Sequence, residues 1–96
     1  MPYVLCILKV KDFAEWKSAY DIEEGVALRK AGRMKSYQIF RSEDDHNKVV
    51  HLSQWDNMDD ARKFLQSEEL QKANQESGVI EMGKVYFLEE VETKSV

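Results

Sequence analysis

Val49–Leu65, VVHLSQWDNMDDARKFL, changes its period halfway along, and that change decides the fold. Val49, His51, Ser53 and Trp55 alternate with Val50, Leu52 and Gln54, so the first half places them on opposite faces of a strand. Asn57 is a good helix N-cap, Asp59 and Asp60 follow where the helix dipole favours negative charge, and Ala61, Phe64 and Leu65 recur at helical spacing. The stretch therefore reads as strand, tight connection and helix.

Outward from it, the same reasoning orders the rest of the chain. Tyr3 to Val10, YVLCILKV, is short and apolar on both faces, as a central strand requires. Asp12 with Glu15 resembles a capping box, and Phe13, Trp16, Ala19 and Tyr20 then share one side of a helix expected to run to about Ala31. Gly25 inside it predicts a bend or a close backbone approach, and Gly32 a C-terminal cap. Met34 to Arg41 predicts a second strand, with Met34, Ser36, Gln38 and Phe40 opposite Lys35, Tyr37, Ile39 and Arg41. The polar Ser42 to Asn47 predicts a hairpin into the third strand. Ser67 can restart the second helix, which is expected to end at Gly78. A last strand is predicted over roughly Lys84 to Val91, with Val85, Phe87 and Val91 on one face and Tyr86 and Leu88 on the other.

The order is β-α-β-β-α-β, an α+β ferredoxin-like domain with a four-stranded antiparallel sheet, expected to span residues 1–96 as a single unit. Two helices cover one sheet face, yet several strands are apolar on both. A homodimer whose sheets face each other around a cavity, a dimeric α+β barrel, would cover the second face; a monomer with an open sheet is the alternative.

Composition narrows the function classes. A net charge of -4 and the lack of a basic run argue against nucleic acid and anionic membranes as partners. Cys6 is the one cysteine and lies in an apolar run, which fits a reducing cytoplasm. The Tyr3 to Leu8 segment is too short to span a bilayer and has no signal-peptide flanks, so a cytoplasmic protein is expected. The acidic runs lack metal-ligand spacing with either histidine, and no phosphate-cradling loop, CxxC or nucleophile elbow occurs. No metal and no cofactor is expected.

Residues along nearly the whole chain carry a family resemblance: Asp12, Phe13, Trp16, Lys17, Tyr20 and Asp21; Gly32; Phe40, Arg41 and Ser42; Asp45, His46 and Asn47; Trp55 and Asp56; Ala61 to Phe64; Ser67 and Leu70; and Val85 to Val91. In these the chain resembles small cyclase-like or antibiotic-biosynthesis-monooxygenase-like proteins of the dimeric α+β barrel superfamily. The resemblance implies that fold. For activity it implies a range, from cofactor-independent monooxygenases to polyketide cyclases and members with no known reaction. Haem-degrading relatives use a first-strand asparagine and a second-helix histidine, and this chain has neither.

Within that frame, His51 and Tyr37 are the candidate proton-handling residues, and Trp55, Ser53 and Tyr86 the candidate ligand contacts. On the sequence alone His51 is expected to be a hydrogen-bond partner or a general base near its reference pKa of about 6.5, with Trp55 an aromatic wall beyond it. Ser53 lies about 7 Å from His51 along the strand, so no local Ser-His couple forms. Tyr37 or Tyr86 would orient an oxygenated ring. Tyr20 is expected to pack its helix on the sheet, and Arg29 and Arg41 to be solvated or paired. The expected ligand is small, apolar or aromatic. The function expected is that of a cofactor-independent monooxygenase or cyclase acting on an aromatic or polyketide-like compound. The alternative is a non-catalytic ligand-binding or interaction protein.

Overall fold

The strand ending at Trp55 and the helix that Asn57 opens form the anchor of the structure, a computed structural model describing all 96 residues. The elements run β1 (Pro2–Val10), α1 (Phe13–Asp21), α2 (Glu23–Ala31), β2 (Met34–Arg41), β3 (Lys48–Trp55), α3 (Met58–Leu65), α4 (Glu68–Glu76) and β4 (Val79–Glu89). The strands form one antiparallel sheet in the order β2-β3-β1-β4, with β1 central as its two apolar faces require. All four helices pack on one face of it. This is the ferredoxin-like α+β fold, each of the two expected helices being divided into a pair.

The caps lie where their side chains can do the work. Asp12, Asn57 and Ser67 each accept a hydrogen bond from the backbone N–H three residues on, satisfying a donor the helix itself leaves unpaired. Ser67 thus divides α3 from α4 as expected. The first helix divides at a different place. Its break falls at Ile22, whose backbone is extended (φ -66°, ψ 158°), and not at Gly25. Gly25 supplies the close approach instead: a Cβ there would lie 2.7 Å from the Tyr20 carbonyl oxygen and 3.3 Å from Arg29 Nη1.

The core lies between sheet and helices. Val4, Cys6, Leu8 and Val10 of β1 meet Val49 and Trp55 of β3 beneath Trp16, Ala61 and Phe64. Gly32 belongs to this packing. A Cβ at Gly32 would collide with the Phe64 ring, while the left-handed backbone falls on Arg33 (φ 71°). Gly78, with φ 88°, makes the turn after α4.

Two irregularities alter the strand pairing, and the first moves a side chain from its expected face. A register shift between Met34 and Ser36 pairs Met34 with Trp55 and Tyr37 with Ser53, so Met34 joins Tyr37 on the helix-covered face. In β4 the register shifts between Cys6 and Leu8, where Gly83 lets the strand approach β1; a Cβ there would meet the Ile7 carbonyl oxygen at 2.6 Å. Pairing therefore begins at Val79, five residues before the expected start, and stops at Glu89, leaving Val91 in the exposed tail.

The sheet's other face is uncovered. Leu5, Ile7, Val50 and Leu52 lie there half-exposed, flanked by Phe40, Tyr86 and Leu88 at 50%, 40% and 39% exposure.

Candidate functional site

His51 is fixed by its strand register. It pairs with Cys6 on one side and Ile39 on the other, and its side chain points under the helices with those of Ser53 and Trp55. There it forms the floor of a mostly apolar cleft of about 100 Å³, open at one side and walled by all four helices. From sequence, the cavity is expected between the facing sheets of two copies. The cleft holding His51 and Trp55 instead lies within one chain, between sheet and helices.

The partner of His51 comes from α1. Tyr20 Oη and His51 Nε2 are 2.6 Å apart, a short and direct hydrogen bond across the cleft. Tyr37 stacks on the imidazole, with ring centroids 5.5 Å apart and planes at 15°, and meets Tyr20 edge-on at 5.2 Å. The Arg29 guanidinium covers the other side of Tyr20, 3.6 Å from the ring centroid and 5.3 Å from that of Tyr37. A continuous helix would keep these apart. Residues nine positions apart are two and a half turns and about 13 Å distant, on opposite sides. The break at Ile22 folds α2 back and brings Arg29 onto Tyr20.

Burial sets the protonation states. His51 is 8% exposed, and burial, aided by the Arg29 charge, lowers its pKa to about 4, well below the reference value expected from sequence. Burial holds the Tyr20 phenol above its ordinary value against the opposing pull of Arg29. At neutral pH the pair is therefore uncharged. In one tautomer Tyr20 donates to Nε2. In the other Nε2–H donates to the phenol oxygen, leaving the Tyr20 O–H and His51 Nδ1 for a ligand. Cys6, also on the cleft, is pushed up to about 11 and stays a thiol, not a nucleophile.

The remaining candidates separate clearly. Trp55, 1% exposed, donates its indole N–H to Ser53 Oγ at 2.8 Å, and Ser53 donates to the Val4 carbonyl at 3.4 Å. Both line the cleft, with their polar atoms already partnered. Tyr37, at 42% exposure, stacks on His51 from outside the cleft lining. Tyr86 does not belong to it. Its partner across β1 is Leu5, so it stands on the uncovered sheet face, the thickness of the sheet away from His51. Conversely, Tyr20 and Arg29, expected to serve packing and solvation, are central. No three His, Cys, Asp or Glu side chains gather closely enough to hold a metal ion, and no helix is long and apolar enough to cross a membrane.

Solved structures share this architecture. A cofactor-independent oxygenase, SnoaB from Streptomyces nogalater, superposes with a TM-score of 0.71 at 15% identity, covering 96% of this chain and 93% of its own. A protein from Caulobacter crescentus named as an antibiotic biosynthesis monooxygenase gives 0.70 at 21% identity, over 95% of this chain and 90% of its own. One of the same description from Deinococcus radiodurans gives 0.71 at 15% identity, over 100% and 98%. At such identities the likeness concerns the fold. No curated protein matches the chain closely enough to count as a relative. The sequence model of one family does match, over residues 23–76, and by that match across more than half its length the chain belongs to the antibiotic biosynthesis monooxygenase family.

Proposed function

We propose that the protein is a cofactor-independent monooxygenase that oxidises an electron-rich aromatic or polyketide-like compound held in the cleft. The observation that carries this reading is the 2.6 Å Tyr20–His51 hydrogen bond at the floor of an apolar cleft. It is a neutral pair able to hold a ligand oxygen and to move a proton.

The chemistry needs no external reductant. An activated ring methylene loses a proton to the His51–Tyr20 pair, and the carbanion passes one electron to O2. The radical and superoxide combine, the peroxide takes the proton back, and loss of water leaves a carbonyl. One O2 enters and one water leaves. An imidazole with a pKa near 4 resists protonation at pH 7 by about 4 kcal/mol. That cost falls when the departing proton leaves an anion alongside, because opposite charges in a water-poor cleft stabilise each other.

Oxygen uptake with a panel of anthrones, which carry the ring methylene that the step requires, tests the reading. Tyr20→Phe is expected to lower kcat about tenfold or more and His51→Ala about a hundredfold or more, the usual range for a proton-transfer residue. Unchanged turnover in both variants would remove the pair from the chemistry. A second reading, ligand binding without turnover, is favoured by one observation: the buried polar atoms of Ser53 and Trp55 on the cleft already have hydrogen-bond partners within the chain. Binding with no uptake across the panel supports it.

The uncovered sheet face supports a homodimer, two copies laying Leu5, Ile7, Val50 and Leu52 together. Native mass spectrometry at micromolar concentration is expected to show a dimer, and Leu52→Asp a monomer with the cleft on the far side of the sheet untouched. A wild-type monomer would sink the assignment.

A further inference from the structure

The cleft has a charged neighbour. A second hollow, of about 380 Å³, lies between α2 and β2 and is lined by Val26, Arg29, Lys30, Met34, Lys35, Ser36 and Tyr37. Arg29 and Met34 line both spaces, so the hollow and the cleft meet at those two side chains. Three of the seven residues around the hollow are cationic and none is acidic. Lys35 is held by Asp56 at 3.0 Å, but Arg29 and Lys30 take part in none of the ion pairs of the structure. On a chain with net charge -4 this is a local reversal of sign, with a half-buried arginine on its wall that no carboxylate neutralises.

We infer that the ligand is an aromatic acid, its ring in the inner cleft against Tyr20 and His51 and its carboxylate in the outer hollow on Arg29 and Lys30. The inference rests on the proposed placement of the ring in the cleft. A planar guanidinium is suited to a carboxylate, binding it through two parallel N–H donors, and the apolar cleft accepts the uncharged end. The arrangement also couples binding to chemistry. The Arg29 charge is one of the two influences that hold His51 in its neutral form, and a carboxylate seated on Arg29 offsets it.

The test compares 2-naphthaleneacetate with 2-naphthaleneacetamide, nearly the same shape with and without the charge, by titration calorimetry at low salt. The acid is expected to bind wild-type protein about tenfold more tightly, as charge-assisted hydrogen bonds to one guanidinium allow, with the preference shrinking as salt is added. In Arg29→Gln the acid-to-amide ratio is expected to fall to about one, whatever happens to the absolute affinities. Lys30→Gln, a change at an exposed position, is expected to reduce the ratio about threefold and keeps the test open should the first variant fail to fold. Equal binding of acid and amide to wild type overturns the acid preference and leaves the ring placement standing. A preference that survives both substitutions overturns the assignment to Arg29 and Lys30. Binding of neither compound overturns the acid and the cleft reading together.

Discussion

Replacing Trp55 with alanine is expected to lower the stability of the folded chain by about 3–5 kcal/mol, the usual cost of emptying a large aromatic site in a core. Trp55 is 1% exposed, packs against Phe64 with ring centroids 5.5 Å apart and gives its indole N–H to Ser53. The change removes all three contributions, with the helix end of β3 left against a void. A chain of 96 residues has roughly 5–14 kcal/mol of stability in total, so the loss is about a fifth of it or more. Urea unfolding should show a lower midpoint at unchanged slope. Trp55→Phe keeps a ring on Phe64 and leaves the Ser53 hydroxyl bonded to the Val4 carbonyl; about 1–2 kcal/mol is expected for it. An alanine variant within 1 kcal/mol of wild type would show that Trp55 is not part of the core. The size of the expected loss bears on function as well. Lost ligand binding in Trp55→Ala would report the state of the fold, so the phenylalanine variant is the one that probes contact with a ligand.

The second large effect is a dependence of stability on pH. His51 titrates near 6.5 in the unfolded chain and near 4 in the folded one. Between those values the unfolded chain binds a proton that the folded chain refuses, so acidification favours unfolding. The contribution of His51 is neutral above pH 6.5, becomes unfavourable as pH falls through the window from 6.5 to 4, and levels off below it at about 3 kcal/mol. Carboxylates add their own acid sensitivity, so the measurement is a difference. Between pH 7 and pH 4.5, wild type should lose about 2–3 kcal/mol more than His51→Gln does. Parallel loss in the two proteins would mean that the imidazole is not held neutral, and the state assigned to the pair at the cleft floor would fall with it.

What the chain makes legible follows from how local each signal is. The strand ending at Trp55, the caps at Asp12, Asn57 and Ser67 and the two-faced apolar β1 are read over a few residues, and they carry the element order and the sheet. The face shared by His51, Ser53 and Trp55 is read equally well, since alternation needs no tertiary information. The errors arise where local rules are overridden. Alternation puts Met34 opposite Tyr37, and the bulge at the start of β2 reverses that. The strand signal of β4 is interrupted by Gly83, which in the structure makes the close approach to Ile7. Alternation gives Tyr86 a strand face, but only the register of β4 against β1 makes that face the uncovered one. The pairing of Tyr20 with His51 joins residues 31 positions apart through tertiary packing, and no spacing rule announces it. The helix break had the weakest signal of all. Ile22 is a merely mediocre helix former, while the glycine three residues later attracts the attention a break deserves.

That break changes how relatives should be compared. A tyrosine, an arginine and a histidine aligned with Tyr20, Arg29 and His51 in another sequence do not make this site by being present. If α1 of that protein continued through the position of Ile22, its arginine would sit on the far side of the helix, and the alignment would score perfect agreement over a pocket that does not exist. The inheritable unit is the tyrosine and the arginine together with the interruption between them. A redesign that raised helix propensity at Ile22 for stability would erase the pocket's cation while altering none of the residues that touch a ligand.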